Sequence, residues 1–415
     1  MSRQCRFCGA PLEVTFADLG MSPISNEFVP AERAEAMEPF YPLHAFVCSE
    51  CFLVQLQDFQ RAEALFSDEY AYFSSYSDSW LAHAKSYAEK IIAAEGLTSE
   101  SMVVEIASND GYLLQYFKQS GVPVLGVEPT ANTAKVALEQ RGVPSEIAFF
   151  GRETAQRLRA RGIVADVMAA NNVLAHVPDI NDFISGYPIL LKKGGVANVE
   201  FPHLLSQIEN NQFDTIYHEH FSYLSFTVAR KIFAAHGMRV YDKEELKTHG
   251  GSLRLYVCHD DDVHRPDTPA VAEMLEREAK AGLNEVDTYR RFSERVMGIK
   301  LDLLEFLLRA KREGKRVVGY GAPAKGVTLL NYCGVKPDLL SITVDRSPHK
   351  AGKLLPGVRI EIQSPEVIHD LKPDYVLILP WNLKEEIMAQ MSEIHAWGGR
   401  FVTPIPQLEI HEPKT

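Results

Sequence analysis

Four cysteines near the start of the chain form two pairs with the same spacing, Cys5-x2-Cys8 and Cys48-x2-Cys51. Four thiolates are enough to close a tetrahedral zinc site, and the two-residue spacing lets each pair grip one side of the ion. A site of this kind has no open coordination position, so we expect a structural zinc that does no chemistry. Two disulfides and a redox pair are the alternatives that the spacing leaves open.

The densest polar and aromatic run in the chain is Tyr217-His218-Glu219-His220-Phe221-Ser222-Tyr223. A histidine has the pKa for proton abstraction near neutral pH, a glutamate can orient it, and a tyrosine can donate to a developing oxyanion. In an extended segment His218 and His220 would share one face, whereas a turn would mix the faces. A packed structural loop and a metal site are the alternatives, although no third metal ligand is obvious.

A turn of small and polar residues, Glu105-Ile106-Ala107-Ser108-Asn109-Asp110-Gly111, ends one predicted strand and begins a helix. Ligands of open α/β sheets bind outside the carboxyl ends of strands, and small residues let the backbone approach them closely. Glu128 ends the next strand, where a carboxylate can accept hydrogen bonds from two ribose hydroxyls. Without a glycine-rich phosphate motif at this turn, the pattern favours S-adenosylmethionine over a dinucleotide. A lobe with no cofactor is the alternative.

Other polar residues should reach the same crevice. Asn171 and Asn172 end the fourth strand of this region, and His176 lies just beyond, although a lone histidine there is often structural. The segment 70–77 is rich in tyrosine and serine, which indicates either a surface that faces a ligand or a solvated linker.

A second glycine-containing turn lies far along the chain. Gly319-Tyr320-Gly321 follows a predicted strand, and Lys325 opens the next helix. Free N–H groups at the start of a helix, together with one cation, suit a phosphate. A dinucleotide site is the alternative.

Alternating short apolar runs and helical stretches predict the elements that position these residues. The alternation over 101–201 indicates βαβ units and a parallel sheet, and a second α/β pattern begins near residue 316. Between them a long polar helical stretch over 267–313 should bridge two domains. The predicted fold is α/β, with a small N-terminal zinc-binding lobe, a central Rossmann-like domain and a second, C-terminal Rossmann-like domain. We expect their boundaries at residues 1–68, 69–262 and 263–415.

Composition excludes some classes of function. A net charge of -12 over 415 residues argues against non-specific binding to nucleic acid or anionic lipid. There is no apolar run of 18 residues and no apolar signal region at the N-terminus, so we expect a cytoplasmic protein that does not span a membrane. Cys258 and Cys333, outside the two pairs, are expected to be reduced.

Taken together, these motifs resemble the zinc-containing, S-adenosylmethionine-dependent C-methyltransferases of nucleotide-activated 4-keto deoxysugars. The likeness spans nearly the whole chain. It is carried by the four cysteines, the turn 105–111, the run 217–220, His249-Gly250-Gly251-Ser252-Leu253-Arg254, and Gly319-Tyr320-Gly321-Ala322-Pro323-Ala324-Lys325-Gly326. The family often has glycine where this chain has Ala107, and we expect cofactor binding to survive the extra methyl group.

The resemblance implies a central class I methyltransferase domain and a C-terminal domain that helps to hold a nucleotide sugar. It implies His220 as the base beside the acid Glu219, with Tyr72, Tyr217 and His176 lining the substrate pocket. The expected cofactor-binding residues are Glu105, Ala107, Ser108, Asn109, Asp110, Gly111, Glu128, Pro129, Asn171 and Asn172. The expected substrate-binding residues are Tyr76, His249, Gly250, Gly321 and Lys325.

The chemistry expected from this resemblance is removal of a proton α to the C-4 ketone, followed by attack of the enolate carbon on the methyl group of S-adenosylmethionine. We expect a dTDP-linked sugar, methylation at C-3, and a monomer or a weak homo-oligomer. Methylation at C-5, another methylation of a related nucleotide sugar, and a non-catalytic zinc-lobed binding protein are the alternatives.

Overall fold

The computed structural model describes residues 3–59 and 73–412. Its strands are β1 (Val14–Ser22), β2 (Val29–Pro30), β3 (Tyr41–Val47), β4 (Val54–Gln55), β5 (Val103–Ile106), β6 (Val124–Val127), β7 (Ser145–Glu146), β8 (Ala165–Asn171), β9 (Leu191–Pro202), β10 (Ser222–Tyr223), β11 (Met238–Leu246), β12 (Ser252–His259), β13 (Val317–Tyr320), β14 (Ile342–Val344), β15 (Lys353–Leu354), β16 (Glu361–Gln363), β17 (Tyr375–Ile378), β18 (Arg400–Thr403) and β19 (Glu409–His411). Its α-helices are α1 (Asp78–Glu95), α2 (Leu114–Gln119), α3 (Ala131–Arg141), α4 (Arg152–Ala160), α5 (Ile180–Ser185), α6 (Tyr187–Leu190), α7 (Leu204–Glu209), α8 (Phe226–Ala235), α9 (Pro269–Lys280), α10 (Val286–Arg312), α11 (Ala324–Cys333), α12 (Val367–Leu371) and α13 (Lys384–Gln390). Within these two ranges, no helix is both long and apolar enough to cross a membrane.

The N-terminal lobe is built on an antiparallel sheet with the strand order β1-β3-β4-β10. One cysteine pair precedes β1, and the other lies in the turn between β3 and β4. The fourth strand, β10, comes from the middle of the chain and pairs Ser222 with Gln55. Because β10 closely follows the run 217–220, the cysteine lobe holds one end of that run.

The central sheet has the strand order β11-β12-β9-β8-β5-β6-β7. Strands β5 to β9 are parallel, whereas β12 and β11 are antiparallel additions at one edge. The predicted βαβ alternation is therefore confirmed. From β5 the chain first adds β6 and β7 on one side and then crosses to β8 on the other. This switch point opens a crevice at the carboxyl ends of β5 and β8, where ligands of such sheets bind.

The C-terminal sheet has the strand order β19-β18-β17-β13-β14-β16-β15-β2, with a parallel centre from β18 to β16. It is the predicted second Rossmann-like sheet, and its own switch point lies between β13 and β17. Strand β2 joins this sheet from the N-terminal part of the chain.

The stretch 267–313 forms two helices, α9 and α10, rather than the single element that the sequence predicts. Gly282 follows α9 with a φ of +78°, a left-handed conformation that a helix does not continue. Phe292 of α10 stacks on Phe16 of β1 with ring centroids 4.5 Å apart. One apolar core joins residues of β1, β3, α7, α10 and the C-terminal sheet, so α10 does connect different parts of the chain.

Candidate functional site

The four cysteine sulfur atoms converge on one point. The Sγ atoms of Cys5 and Cys51 are 3.6 Å apart, those of Cys8 and Cys48 are 3.5 Å apart, and all four lie within 4.8 Å of one another. A zinc ion bonded at about 2.3 Å to four sulfurs separates them by about 3.8 Å, so the donor set fits zinc. All four cysteines are free, and these separations are too long for disulfides.

Arg6, between the first two cysteines, ties the zinc site to the rest of the molecule. Its backbone N–H donates to the side chain of Gln55 at 2.8 Å, and the Gln55 amide donates to the Cys5 sulfur at 3.2 Å. Its guanidinium donates to the carbonyls of Leu56 and Pro178 at 2.6 and 2.5 Å. The zinc site is thereby joined to strand β4 and to the loop that carries His176.

The run 217–220 is a turn, because the His220 N–H donates to the Tyr217 carbonyl at 2.8 Å. His218 faces the N-terminal lobe, where its Nε2 lies 3.2 Å from the Pro42 carbonyl oxygen. His220 faces His176, with ring centroids 4.7 Å apart. His218 and His220 therefore do not share a face, as they would in an extended segment. Of these two histidines, only His220 reaches the crevice.

His220 is buried and oriented by a backbone group. Its Nδ1 lies 2.8 Å from the Thr215 carbonyl oxygen, so Nδ1 carries the proton and donates it to that oxygen. Its Nε2 lies 2.7 Å from the Tyr217 hydroxyl. Burial is the main cause that holds the pKa of His220 well below its usual value; the neighbouring His176 ring also disfavours its charged form, and the Thr215 carbonyl offsets part of this effect. The imidazole is consequently neutral near pH 7 and presents Nε2 as a proton acceptor.

Glu219 points away from the imidazole of His220. Its carboxylate accepts a hydrogen bond from the Asn26 amide at 2.6 Å, and its backbone carbonyl lies 2.8 Å from Nδ1 of His176. Burial raises the pKa of Glu219 to about 7, Asn26 lowers it in part, and Glu27 raises it further. We expected Glu219 to orient His220, but the Thr215 carbonyl does so instead. Glu219 contacts Asn26 through its carboxylate and His176 through its backbone carbonyl.

Three buried carboxyl groups, Glu105, Asp110 and Glu128, gather at the switch point of the central sheet. Burial raises the pKa of Glu105 well above its usual value, the Tyr112 hydroxyl lowers it in part, and the two other carboxylates add to the rise. Within 3–59 and 73–412, the buried polar atoms without a well-aligned hydrogen-bond partner include both Glu105 oxygens, Ser108 Oγ, Asp110 Oδ1, Asn171 Oδ1 and both side-chain polar atoms of Asn172. Buried acceptors of this kind require a partner, and a ligand that carries positive charge and donors supplies one. S-adenosylmethionine, with an ammonium, a sulfonium and ribose hydroxyls, fits these residues.

The turn that holds these groups is stabilised from within. The Glu128 carboxylate accepts hydrogen bonds from the N–H groups of Asn109 and Thr130 at 2.8 and 2.9 Å. Ala107 has a φ of +55°, a left-handed conformation in which glycine is less strained. Pro129 lies between Glu128 and Thr130. The strand end and the turn therefore form one hydrogen-bonded unit around the cofactor crevice.

The C-terminal domain extends Lys325 toward His220. The Lys325 ammonium donates to the Asn382 side chain at 2.8 Å and lies 4.8 Å from the centre of the Trp381 ring. The Trp381 indole donates to the fully buried Asp214 at 2.7 Å, and burial raises the pKa of that carboxyl to about 6. Burial lowers the pKa of Lys325, which Asp214 partly offsets. A desolvated cation thus lies in the same crevice as the candidate base.

Most of the other expected substrate residues surround this cation. Burial, and then the charge of Lys325, lower the pKa of His249 to about 4. At Gly250 a Cβ would lie 2.7 Å from the Trp381 ring, and at Gly321 it would lie 2.5 Å from Pro380, so both positions need glycine. Tyr76 is 72% exposed and packs on Phe73 instead. Tyr72 lies outside the described residues.

Sequence reasoning missed four groups of the site: the Thr215 carbonyl, Asn26, Asp214 and Trp381. A backbone carbonyl has no sequence signature, and neither Asn26 nor Asp214 lies in a recognisable motif. Trp381 does carry a signal, because it follows β17, the neighbour of β13 at the second switch point. Ligands of open α/β sheets bind just beyond the carboxyl ends of strands at a switch point, so residues after β17 were candidates for the same reason as the turn 105–111.

Three family models together match most of the chain. They are described as "Putative zinc binding domain" over residues 5–66, "Methyltransferase domain" over 80–243, and "C-methyltransferase C-terminal domain" over 247–406. The C-methyltransferase NovU of Streptomyces niveus is 37% identical over 407 residues, which covers 98% of this chain and 96% of the relative.

Solved structures also resemble part of the chain. Magnesium protoporphyrin IX methyltransferase (ChlM) from Synechocystis PCC 6803 with bound SAH is 17% identical, with a TM-score of 0.34, and the match covers 43% of this chain and 83% of that one. A SAM-dependent methyltransferase from Anabaena variabilis ATCC 29413 is 12% identical, with a TM-score of 0.37, over 49% of this chain and 99% of that one. It is the full-length likeness to NovU, with the matched domains and the four-cysteine cluster, that shows the chain to belong to the zinc-containing, S-adenosylmethionine-dependent C-methyltransferases.

Proposed function

We propose that the protein methylates the carbon next to the ketone of a nucleotide-linked 4-keto deoxysugar, with C-3 as the carbon and dTDP as the nucleotide. The observation that carries the proposal is the neutral, buried His220. Its Nε2, which lies 2.7 Å from the Tyr217 hydroxyl, is the unprotonated ring nitrogen, and its crevice also contains the candidate cofactor turn and Lys325. A base, a methyl-donor site and a cation in one crevice suit carbon methylation of an acidic ketone that carries a diphosphate.

The proposed reaction begins when His220 Nε2 takes the proton α to the ketone. The electron pair moves onto the ketone oxygen, which becomes an enolate oxygen. Tyr217, whose hydroxyl now lies against Nε2, is placed to donate to that oxygen, and loss of one such donor typically costs about 10²–10³ in rate. When bound, S-adenosylmethionine would supply an electrophilic methyl group for the enolate carbon and leave as S-adenosylhomocysteine, its sulfur–methyl bond breaking as the new carbon–carbon bond forms. A crevice that holds both reactants would favour this transfer. Zinc, closed by four thiolates, has no open position for substrate.

We also propose a functional division of the chain near residues 68 and 262. The three family models support it, although the C-terminal model begins at residue 247. In this division the C-terminal domain binds the nucleotide sugar through Lys325 and the start of helix α11.

Replacing Lys325 with alanine is expected to raise KM for the nucleotide sugar about 10- to 100-fold, because a charge-assisted hydrogen bond to a buried group is lost. Steady-state kinetics measures this, with Lys336→Ala as the control, since Lys336 lies at the surface and donates to the Gly357 carbonyl. An unchanged KM in the Lys325 variant would place the diphosphate elsewhere. Deleting residues 315–415 is a poor test because these residues share a core with β1 and α10.

Replacing Glu128 with alanine is expected to weaken S-adenosylmethionine binding by more than tenfold. The change removes both the ribose acceptor and the hydrogen bonds that shape the turn at Asn109. Calorimetry of the variant measures the affinity directly. Equal affinity in the two proteins would move the ribose away from this carboxylate.

The proposed activity is tested by incubating the protein with S-adenosylmethionine and a small panel of 4-keto-6-deoxy nucleotide sugars. Mass spectrometry should show the addition of one methyl group, and NMR should place it at C-3. A methyl group at C-5 would correct the position, whereas a methyl group on oxygen or nitrogen would refute the enolate mechanism. No methyl transfer to any 4-keto sugar would refute the substrate class.

A further inference from the structure

The ring of Trp80 lies between the cofactor side and the substrate side of the crevice. It stacks near Tyr112, with ring centroids 5.9 Å apart, and lies 5.4 Å from the ring of His249. Tyr112 belongs to the cofactor side, since it lies beside Glu105, and Asn171 donates to its hydroxyl at 3.4 Å. His249 belongs to the substrate side, where the charge of Lys325 acts on it.

Helix α1 positions this ring. The buried residues of α1 are Ala84, Tyr87, Ala88 and Ile91, which form one helical face against the central sheet. Trp80 lies four residues before Ala84 and therefore on the same face of the helix, so it extends this face toward the N-terminal end of α1. It remains partly exposed, whereas Tyr87 is 2% exposed and bonded to Asn198. The buried face of α1 therefore ends in the Trp80 ring, which is partly exposed.

A methyl donor must present its sulfur between these two sides, because the methyl group has to reach a carbon held near His220. The sulfur of S-adenosylmethionine is a sulfonium cation, and it becomes a neutral thioether when the methyl group leaves. The face of a tryptophan ring attracts cations more strongly than the other aromatic rings do. The three buried carboxyl groups at this switch point also place oxygen acceptors on the cofactor side.

We propose that Trp80 is a cofactor-binding residue whose ring receives the sulfonium of S-adenosylmethionine, so that the site binds the charged donor in preference to the neutral product S-adenosylhomocysteine. The proposal rests on the cofactor site and not on the identity of the sugar. Its test therefore needs no sugar, and failure of the substrate assignment would leave it unaffected.

The test is calorimetry of the full-length, zinc-loaded protein with S-adenosylmethionine and, separately, with S-adenosylhomocysteine. In Trp80→Leu the affinity for S-adenosylmethionine should fall about 3- to 30-fold more than the affinity for S-adenosylhomocysteine. Trp80→Phe, which keeps a ring, should retain part of this preference. Trp397→Leu is the matched control and should leave the ratio of the two affinities unchanged, since Trp397 donates to the Pro373 carbonyl in the C-terminal domain.

An equal loss for the two ligands would overturn the proposal, because it would mean that Trp80 acts only through packing. If Trp80→Leu does not fold, fluorinated tryptophans introduced at position 80 keep the shape of the ring while weakening its attraction for cations. Affinity for S-adenosylmethionine should then fall with each added fluorine while affinity for S-adenosylhomocysteine stays constant. Parallel behaviour of the two ligands in that series would also refute the role.

Discussion

Replacing His220 with asparagine should abolish methyl transfer and also deuterium wash-in at the carbon α to the ketone, while S-adenosylmethionine still binds. An amide can still donate to the Thr215 carbonyl, as Nδ1 of His220 does, but it cannot accept a proton at the position of Nε2. Loss of a general base typically costs about 10²–10⁴ in rate. Wash-in is the sharper measurement, because it reports proton removal without methyl transfer.

Wash-in at the wild-type rate in His220→Asn would show that another group is the base. Tyr217 and Glu219 are then the leading candidates, since Tyr217 bonds to His220 and Glu219 neighbours it in the chain. Glu219→Gln is the matched variant, because it keeps the size and the polar contact with Asn26 while removing the carboxylate. If His220 is the base, this variant should keep most of the wash-in rate.

The pH dependence separates the two candidates in the wild-type enzyme. The pKa of His220 is held well below its usual value by burial, so its base form is already complete near pH 7. Burial raises the pKa of Glu219 to about 7, so its base form increases as the pH rises through 7. Wash-in by His220 should be flat between about pH 6 and 8, whereas wash-in by Glu219 would climb over this range.

Replacing Cys48 with serine should remove the zinc and unfold the N-terminal lobe, with a destabilisation of more than about 4 kcal/mol. A fully buried thiolate ligand is lost, and three sulfurs no longer close the site. Metal analysis of freshly purified wild-type protein should find one zinc per chain, and limited proteolysis of the variant should cut within residues 3–59. Cys258→Ser, which changes a buried cysteine outside the cluster, should keep its zinc.

Zinc loss should also reduce methyl transfer, although the ion does no chemistry. Strand β10 pairs with β4 of the zinc lobe and closely follows the run that contains His220. Arg6 ties the cysteine turn to the loop after His176, and Asn26 holds Glu219. Unfolding the lobe releases all of these contacts together. Wild-type protein purified without chelators and found free of zinc, or a Cys48 variant that retains full activity, would contradict this account.

The chain itself determined the parts of this protein that depend on local spacing. Cysteine pairs separated by two residues predict a four-sulfur metal site, because the two thiolates of each pair can bind the same ion through local geometry alone. Short apolar runs that alternate with helical stretches predict two sheets with parallel centres, because the crossover between neighbouring parallel strands usually contains a helix. The sequence also predicts a crevice at the turn 105–111, because the carboxyl end of a strand can be recognised in the sequence, and the structure places this turn at the switch point of the central sheet.

Only the tertiary structure decided which distant groups come together in the candidate site. The carbonyl of Thr215 orients His220, and a backbone carbonyl cannot be recognised from the type of its residue. Asn26 reaches Glu219 across 193 residues, and Trp381 reaches Asp214 across 167, contacts that exist only after three sheets have packed together. Whether 217–220 is a strand or a turn was equally undetermined locally. The turn follows because β10 must leave the run to pair with the zinc lobe while His220 stays in the central crevice.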